Sequence, residues 1–566
     1  MKKSLKNLNP FNTPLSNRKA INILIYSSLL IFFINQLSYI HTAGTTYDAD
    51  GLRFGANIVA QKIQRILSLN ADFSDLPVSD VEFYGMFVIL PAYLFSHFLK
   101  QFVNDPSNLG FENVDGVIYF FMNVYLTVYV VICLLYIIRK LNNRNSSFSI
   151  IFMLILLLTP SFSGHSQFNI KDIPFAFQLF LFALLLIEYL ELKIKDKIVN
   201  LNLKLGFLMG LVLAVRFNAL FFISLLICIV LTFLKLKNKL DFKSALKDFS
   251  TVYIFAFFIL YLLTPSAWVA PIEWIQDAIY YQFFLEWSGS TLTNGEFIVA
   301  TEMKWYYLFT WFFHKLPLTF HLSVLIFIYL KYKKIKFDLL FDVASLFVLF
   351  VFIIFSIARP SVYDGLRQFL FLIPFLTIFS TGVFLKFIEY KNISLLIFFM
   401  PIFTYLLFTQ YGLGPYKYVY FNELVDTNEI SVDCNNVDGC GNWPTDYWGY
   451  SGKEVAEFLN ENLLAGEIPK KSTFAWKNNS TSLLICRPSM TSYTYLNKDL
   501  NYNSLNVGDF SRTEILTLTY HRPRFKDDSC KFLVNNIDYQ CKTIYTFTKN
   551  LRFNEIVLAH IKECRV

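Results

Sequence analysis

Four clusters in the chain carry side chains that can do chemistry, and each lies beside a long apolar run. Tyr47-Asp48-Ala49-Asp50 follows the first run. Two carboxylates two residues apart can supply a general base or ligate a divalent cation, and solvation of a loop is the plain alternative. His165-Ser166-Gln167-Phe168-Asn169-Ile170-Lys171-Asp172-Ile173-Pro174 lies between two later runs. The pattern puts Asp172 at the start of a helix, where Pro174 suits the first turn and a capping carboxylate is stabilising. Capping does not account for His165, Asn169 and Lys171 crowded beside it. The stretch from Arg359 through Tyr363 to Arg367 brings two guanidinium groups to the mouth of adjacent runs. Such planar forks clamp phosphate, although arginines also snorkel from apolar surfaces. The fourth cluster is aromatic, from Trp268 to Trp311 with Trp274, Trp287, Trp305 and Tyr306. It reads as an interfacial belt whose rings are also of a kind that stacks on sugars.

What must position these groups is set by composition. Of 566 residues, 55% are hydrophobic, 63 are Phe and only 16% are charged, well below the ~25% charge of ordinary globular proteins. The apolar residues fall in runs near 20 long, enough to cross a ~30 Å hydrocarbon core. A soluble enzyme, a disordered chain and a nucleic-acid binder are set aside. The net charge of +8 comes from Lys and Arg in short loops between the runs, the usual mark of cytoplasmic loops. The partner is the lipid bilayer.

Charge also orients the runs. Ile21–Ile40 follows Lys2, Lys3, Lys6, Arg18 and Lys19; it lacks a cleavage site and reads as a retained first span with residues 1–20 cytoplasmic. Phe83–Leu99 is short and holds Pro91 and His97. Read as a re-entrant or interfacial helix, it returns Arg139, Lys140 and Arg144 to the cytoplasm and makes residues 41–115 one large outer loop. The 30 residues Leu205–Leu234 have basic flanks on both sides, so they read as two short spans broken near Arg216 and Asn218. Continued along the chain, this gives about eleven spans over residues 21–411, with all four clusters on the outer face.

Beyond Tyr411 the chain is polar, and residues 412–566 read as an extracytoplasmic α+β domain with strands at Arg512–Tyr520 and Thr543–Thr548. Cys434, Cys440, Cys486, Cys530, Cys541 and Cys564 lie there, an even set that fits up to three disulfides. Cys434 and Cys440 lack His partners at zinc spacing. Cys133 and Cys228 fall inside spans as packing residues. The sequons of Asn478-Asn479-Ser480-Thr481 matter only in a host that uses them.

The linear pattern resembles the polytopic glycosyltransferases of the GT-C superfamily, in the bacterial family-39-like branch related to protein O-mannosyltransferases. The resemblance rests on Tyr47-Asp48-Ala49-Asp50, on Gly164-His165-Ser166 with Asn169-Ile170-Lys171-Asp172-Ile173-Pro174-Phe175-Ala176, on Tyr363-Asp364-Gly365-Leu366-Arg367-Gln368-Phe369-Leu370, and on Asp446-Tyr447-Trp448-Gly449. It covers roughly residues 20–425 and the start of the outer domain. It implies an inner-membrane enzyme that moves a monosaccharide from a polyprenyl-phosphate donor to an outer hydroxyl of a protein, lipid or glycan acceptor, with inversion. By position, Asp48 and Asp172 match the acids of the first two outer loops. Relatives often carry Asp-Glu side by side, whereas Ala49 separates Asp48 from Asp50 here, so either acid is a candidate base. His165, Asn169, Lys171, Arg359, Tyr363 and Arg367 are the candidate substrate-binding residues. A divalent metal on Asp48 and Asp172 is compatible with the pattern but not demanded by it. The rival of a different class is a transporter or flippase for a lipid-linked sugar, against which stand the absence of an internal repeat and the clustering of charge at one face. A structural membrane protein presenting the cysteine-bearing domain is the third reading, and it leaves the acidic clusters unexplained.

Overall fold

An apolar run in a bilayer can satisfy its backbone groups only along itself, so each becomes a helix. The computed structural model describes residues 18–430, apart from 70–71, 74, 78, 85, 198–199 and 285–288, and then 441–464, 482–485, 490–497, 502–504, 514–520 and 540–565. In chain order the helices are α1 (Arg18–Ala43), α2 (Tyr47–Leu67), α3 (Met86–Lys100), α4 (Val114–Asn142), α5 (Ser146–Leu158), α6 (Pro160–His165), α7 (Asp172–Ile194), α8 (Asn202–Val215) and α9 (Ala219–Leu236). They continue with α10 (Phe242–Leu263), α11 (Pro271–Ile279), α12 (Tyr307–Lys315), α13 (Leu318–Tyr332), α14 (Leu339–Ala358), α15 (Leu372–Lys391), α16 (Leu395–Thr409) and α17 (Gly452–Leu464).

Seven of these are long and apolar enough to cross a membrane: α1 from Asn22, α4, α7, α9, α10, α14 and α15. The protein is a polytopic helical membrane protein. The other four runs read as spans form the shorter helices α5, α8, α13 and α16, and α12 meets α13 at a 107° bend. Phe83–Leu99 becomes α3, with Pro91 inside it. The large loop around it is more ordered than its sequence suggested. The 21 residues of α2 fill much of it, and Tyr93 of α3 donates to Asn57 of α2 at 2.9 Å.

Two features fix the direction of the bundle. α7 carries no charge from Ile173 to Ile187 and is apolar all round, the pattern of a fully enclosed helix; 94% of its central window is buried. Its basic end is tied to neighbours by Lys140–Glu188 at 2.6 Å, Arg144–Glu191 at 2.7 Å and Lys193–Asp248 at 2.9 Å. These pairs gather the C-terminal ends of α4 and α7 with the start of α10. The clusters near Asp48, Asp172 and Arg367 lie at the opposite helix ends. The run Leu205–Leu234 does break, at Arg216, which is extended (φ −148°, ψ 116°) between α8 and α9 and bridges to Tyr84.

Two sheets follow. Strands β1 (Ser290–Thr293) and β2 (Glu296–Val299) form a hairpin whose turn residues Asn294 and Gly295 both have positive φ, as a tight two-residue turn requires. The second sheet holds β3 (Ser482–Ile485), β4 (Tyr502–Ser504), β5 (Glu514–Tyr520), β6 (Gln540–Leu551) and β7 (Asn554–Arg565) in the order β4-β3-β5-β7-β6. The expected strand Thr543–Thr548 lies within β6, and β5 covers Glu514–Tyr520 of the other, whose first two residues lie outside the described ones. Val455, Ala456 and Leu459 of α17 pack with Ile544, Phe547 and Ile561 of this sheet, and Phe111 and Val117 join the same cluster from the helical body. The preceding stretch packs differently. Tyr416, Tyr418, Trp443 and Tyr450 belong to the main core, so the packing changes later than the composition does. Cys434, Cys440, Cys486 and Cys530, the sequons and Trp287 lie outside the described residues, as do the side chains of Cys541 and Cys564. Cys133 and Cys228 are free.

Candidate functional site

Helix ends bring the polar clusters together. Asp48 sits in the first turn of α2 and Asp172 is the first residue of α7. Carboxylates there are stabilised by the helix dipole, by about 0.3–1 kcal/mol. That effect does not account for three cations converging on them. Lys171 Nζ reaches Asp48 at 3.4 Å, and Arg367 Nη1 reaches the same oxygen at 3.1 Å. Arg216 pairs with Asp172, and Arg367 also reaches Asp364 at 3.5 Å. Three carboxylates and three cations thus share one end of the bundle, drawn from α2, α7, the α8–α9 break and the α14–α15 loop.

Asp172 is not a capping group. Asn169 Oδ1 accepts the Asp172 backbone N–H at 3.0 Å, while Asn169 Nδ2 donates to the Asp172 carboxylate at 2.9 Å. Asn169 does the capping and leaves the carboxylate for Arg216. The same amide meets His165 Nδ1 at 3.3 Å, and His165 Nε2 meets the Tyr447 hydroxyl at 3.2 Å. Burial pushes His165 down to about 3; the charge of Asp172 works against this, and those of Lys315 and Arg367 reinforce it. The imidazole is therefore neutral near pH 7, a hydrogen-bonding relay between Asn169 and Tyr447.

Asp50 and Asp48 separate. Asp50 accepts from Arg53 at 3.1 Å and from the Tyr119 hydroxyl at 2.7 Å, and Arg53 also holds Asp115 at 2.5 Å. This network fastens α2 to α4. Asp48 alone of the two belongs to the cationic cluster.

The two arginines of the third cluster separate as well. Arg367 is buried, with its guanidinium 4.8 Å from the Tyr363 ring centre and 4.6 Å from that of Trp448. Burial opposes its charge, but Asp48, then Asp364, outweigh that and hold its pKa above the usual value. Arg359 is exposed and ends α14 in the left-handed region, at φ 46°. The two arginines expected to clamp an anion thus differ in exposure, one at the surface and one in the core. Lys171 and Arg216 stand near the acids together with Arg367.

A turn from the far end of the chain completes the arrangement. Asp446 accepts from the N–H groups of Tyr450 and Ser451 at 2.8 and 2.9 Å, and from the Tyr418 hydroxyl. That turn presents Tyr447 to His165 and the Trp448 ring to Arg367. The Trp448 carbonyl accepts the N–H of Tyr47 at 2.9 Å, one residue before Asp48. Underneath, Gly164 lies so close to the 414–419 segment that a Cβ there would come within 2.3 Å of the Tyr418 nitrogen.

Arg216 is the residue that reading by spans passes over; a charge in the break of a 30-residue apolar run was its signal. A divalent ion shared by Asp48 and Asp172 does not fit this donor set. Each carboxylate is already met by cations, and among the described residues no group of three or more His, Cys, Asp or Glu could hold a metal. No protein-family model matches the chain, and no curated protein matches it either.

Proposed function

We propose that the protein is a GT-C-like glycosyltransferase that moves a monosaccharide from a polyprenyl phosphate to an acceptor hydroxyl on the extracytoplasmic side, with about eleven crossings and the C-terminal sheet domain on that same side. The observation that carries the reading is Asp48 held between Lys171 and Arg367 at the rim of the helical body. One carboxylate with two mobile or planar cations is what an anionic lipid headgroup and a general base would need in one place.

The chemistry follows from that arrangement. The donor phosphate binds Lys171 and Arg367 and displaces the Asp48 carboxylate from them. Asp48, freed from its partners, takes the proton from the acceptor hydroxyl as that oxygen attacks the anomeric carbon. The bond from the anomeric carbon to the phosphate oxygen breaks, and the departing phosphate keeps both electrons. A single displacement inverts the centre. Charge developing on the phosphate is met by fixed cations, which need no reorganisation at the moment of reaction. Asp172 holds Arg216, and with Asn169 and His165 it fixes the loop that carries Lys171. The grouping of the charges at the helix ends, rather than at mid-depth, favours this reading over a transporter.

The direct test is mass spectrometry of cell-envelope glycans from cells with and without the gene, alongside release of polyprenyl phosphate by the purified protein given a synthetic donor. Loss of one sugar from an envelope glycan, matched by donor consumption in vitro, supports the proposal. An unchanged glycan profile with no donor consumption rejects it.

A further inference from the structure

An apolar recess lies away from the acids. Below the α12–α13 bend, a groove of about 720 Å³ runs between α9, α13, α14 and α15. Phe313, Phe320, Phe327, Phe341, Phe352 and Phe379 line it. Its hydroxyls are used up internally: Ser323 and Ser380 bond each other at 2.9 Å, and Ser345 bonds the Phe341 carbonyl at 2.7 Å. Val324 and Leu349, also in the lining, are 48% and 52% exposed, so the groove opens sideways toward lipid. From Phe320 to Lys331 along α13 it covers about 17 Å at 1.5 Å per residue, close to half of a ~30 Å hydrocarbon core. That is the depth of one leaflet.

The two charged lining residues, Lys331 and Asp342, both sit at the basic end. There the α13–α14 turn adds Lys333, Lys334 and Lys336, and α15 ends at Lys391; all of these lysines, with Lys331, are exposed. Lys331 Nζ lies 5.3 and 5.2 Å from the ring centres of Phe327 and Phe337, and Lys391 Nζ lies 5.2 Å from that of Tyr329. Among the described residues, none of these five lysines forms an ion pair with a carboxylate. Asp338 is occupied in capping α14, accepting the Phe341 N–H at 2.9 Å. At this end of the apolar slot Lys331 and Asp342 line the wall itself, and the other lysines lie on the adjoining turn and helix end. Basic pockets between membrane helices of this kind take anionic lipid headgroups.

We infer that the groove and its lysine rim bind one anionic phospholipid from the leaflet at the basic end, with an acyl chain along α13 and the phosphate on Lys331 and its neighbours. This site is separate from the acids at the opposite helix ends and does not depend on the proposed transfer reaction.

Native mass spectrometry of the full-length protein, exchanged from mixed micelles of phosphatidylglycerol and phosphatidylcholine, reads the headgroup preference. The wild type should retain one phosphatidylglycerol at least tenfold over phosphatidylcholine. The triple variant Lys331→Gln, Lys333→Gln, Lys334→Gln should lose that preference by at least tenfold, given the contribution of each basic residue near an anionic surface. Val324→Trp, which fills the groove and leaves the lysines, should lose the retained lipid altogether. Equal retention of the two lipids by the wild type, or undiminished preference in the triple variant, overturns the headgroup assignment. Undiminished binding in Val324→Trp overturns the groove as the seat of the chain. Should a variant fail to fold, electron spin resonance on the wild type in vesicles decides: spin-labelled phosphatidylglycerol must show a larger immobilised fraction than phosphatidylcholine, and equal fractions reject the site.

Discussion

At the scale of single residues, Asp48 and Asp50 differ in the company they keep, and substitution should tell them apart. Asp48→Asn removes the proposed proton acceptor, so turnover of donor per folded molecule should fall by ~10² or more. It also removes the anion that competes with the donor phosphate for Lys171 and Arg367, so donor affinity should hold or rise. Asp50→Asn breaks the Arg53–Tyr119 network and should lower the melting temperature while sparing turnover. A larger turnover loss in Asp50→Asn reverses the assignment. His165 gives a pH signature of its own. Its folded pKa of about 3 lies below the ~6.5 of an unfolded histidine, so between those values the unfolded chain binds the extra proton. Stability should therefore be full above pH ~6.5 and decline as the pH falls below it, by at most about 1.4 kcal/mol per unit. Thermal melts in detergent from pH 7 to pH 5 measure the slope, and His165→Gln should flatten it; an unchanged slope in that variant means other groups carry the effect.

Among the elements, α6 and the α8–α9 break decide where the acids sit. Gly164→Ala would drive a methyl into the backbone of the 414–419 segment, and overpacking of this kind costs about 1–3 kcal/mol. The expected result is a lower melting temperature together with loss of activity, since His165 follows Gly164 directly; a variant as stable and active as the wild type would show that the two segments do not need this contact. Arg216→Met leaves Asp172 buried without its ion pair, which is destabilising by about 3–5 kcal/mol in comparable buried pairs. Adding Asp172→Asn should recover part of that stability without recovering turnover. The elements were unequally legible in the sequence. Long apolar runs announced themselves, because only a helix satisfies a backbone in lipid. α2 was hidden because only part of its surface is apolar, although Leu52, Ala56 and Val59 recur at helical spacing. The β1–β2 hairpin was marked by Asn294-Gly295 inside what read only as an aromatic loop. Ion-pair choices such as Arg216 with Asp172, or Arg359 turned outward, depend on packing between distant segments, and no local pattern encodes that.

For the whole molecule, the pairing of basic helix ends against acidic ones predicts sidedness. Single cysteines placed at Asn142 and at Asn497 in a background without other reactive thiols should label from opposite sides of the membrane in intact cells. Labelling of both from the same side would separate the C-terminal sheet from the face proposed for the acids. The bond from Tyr47 to the Trp448 carbonyl joins segments made at very different times. Asp48 is made before Trp448, whose carbonyl and ring complete its surroundings and which comes 400 positions later. At roughly 5–20 residues per second, synthesis of the intervening chain lasts about 20–80 s. Throughout that interval the first acid stands at the bilayer surface without the turn that will enclose it. A nascent chain halted near residue 420 should accordingly be inserted, hold its early helices and be catalytically silent. Synthesis of the segment around Trp448 is therefore the step that would complete the proposed site, and a product truncated before it would carry the acids without the turn that encloses them.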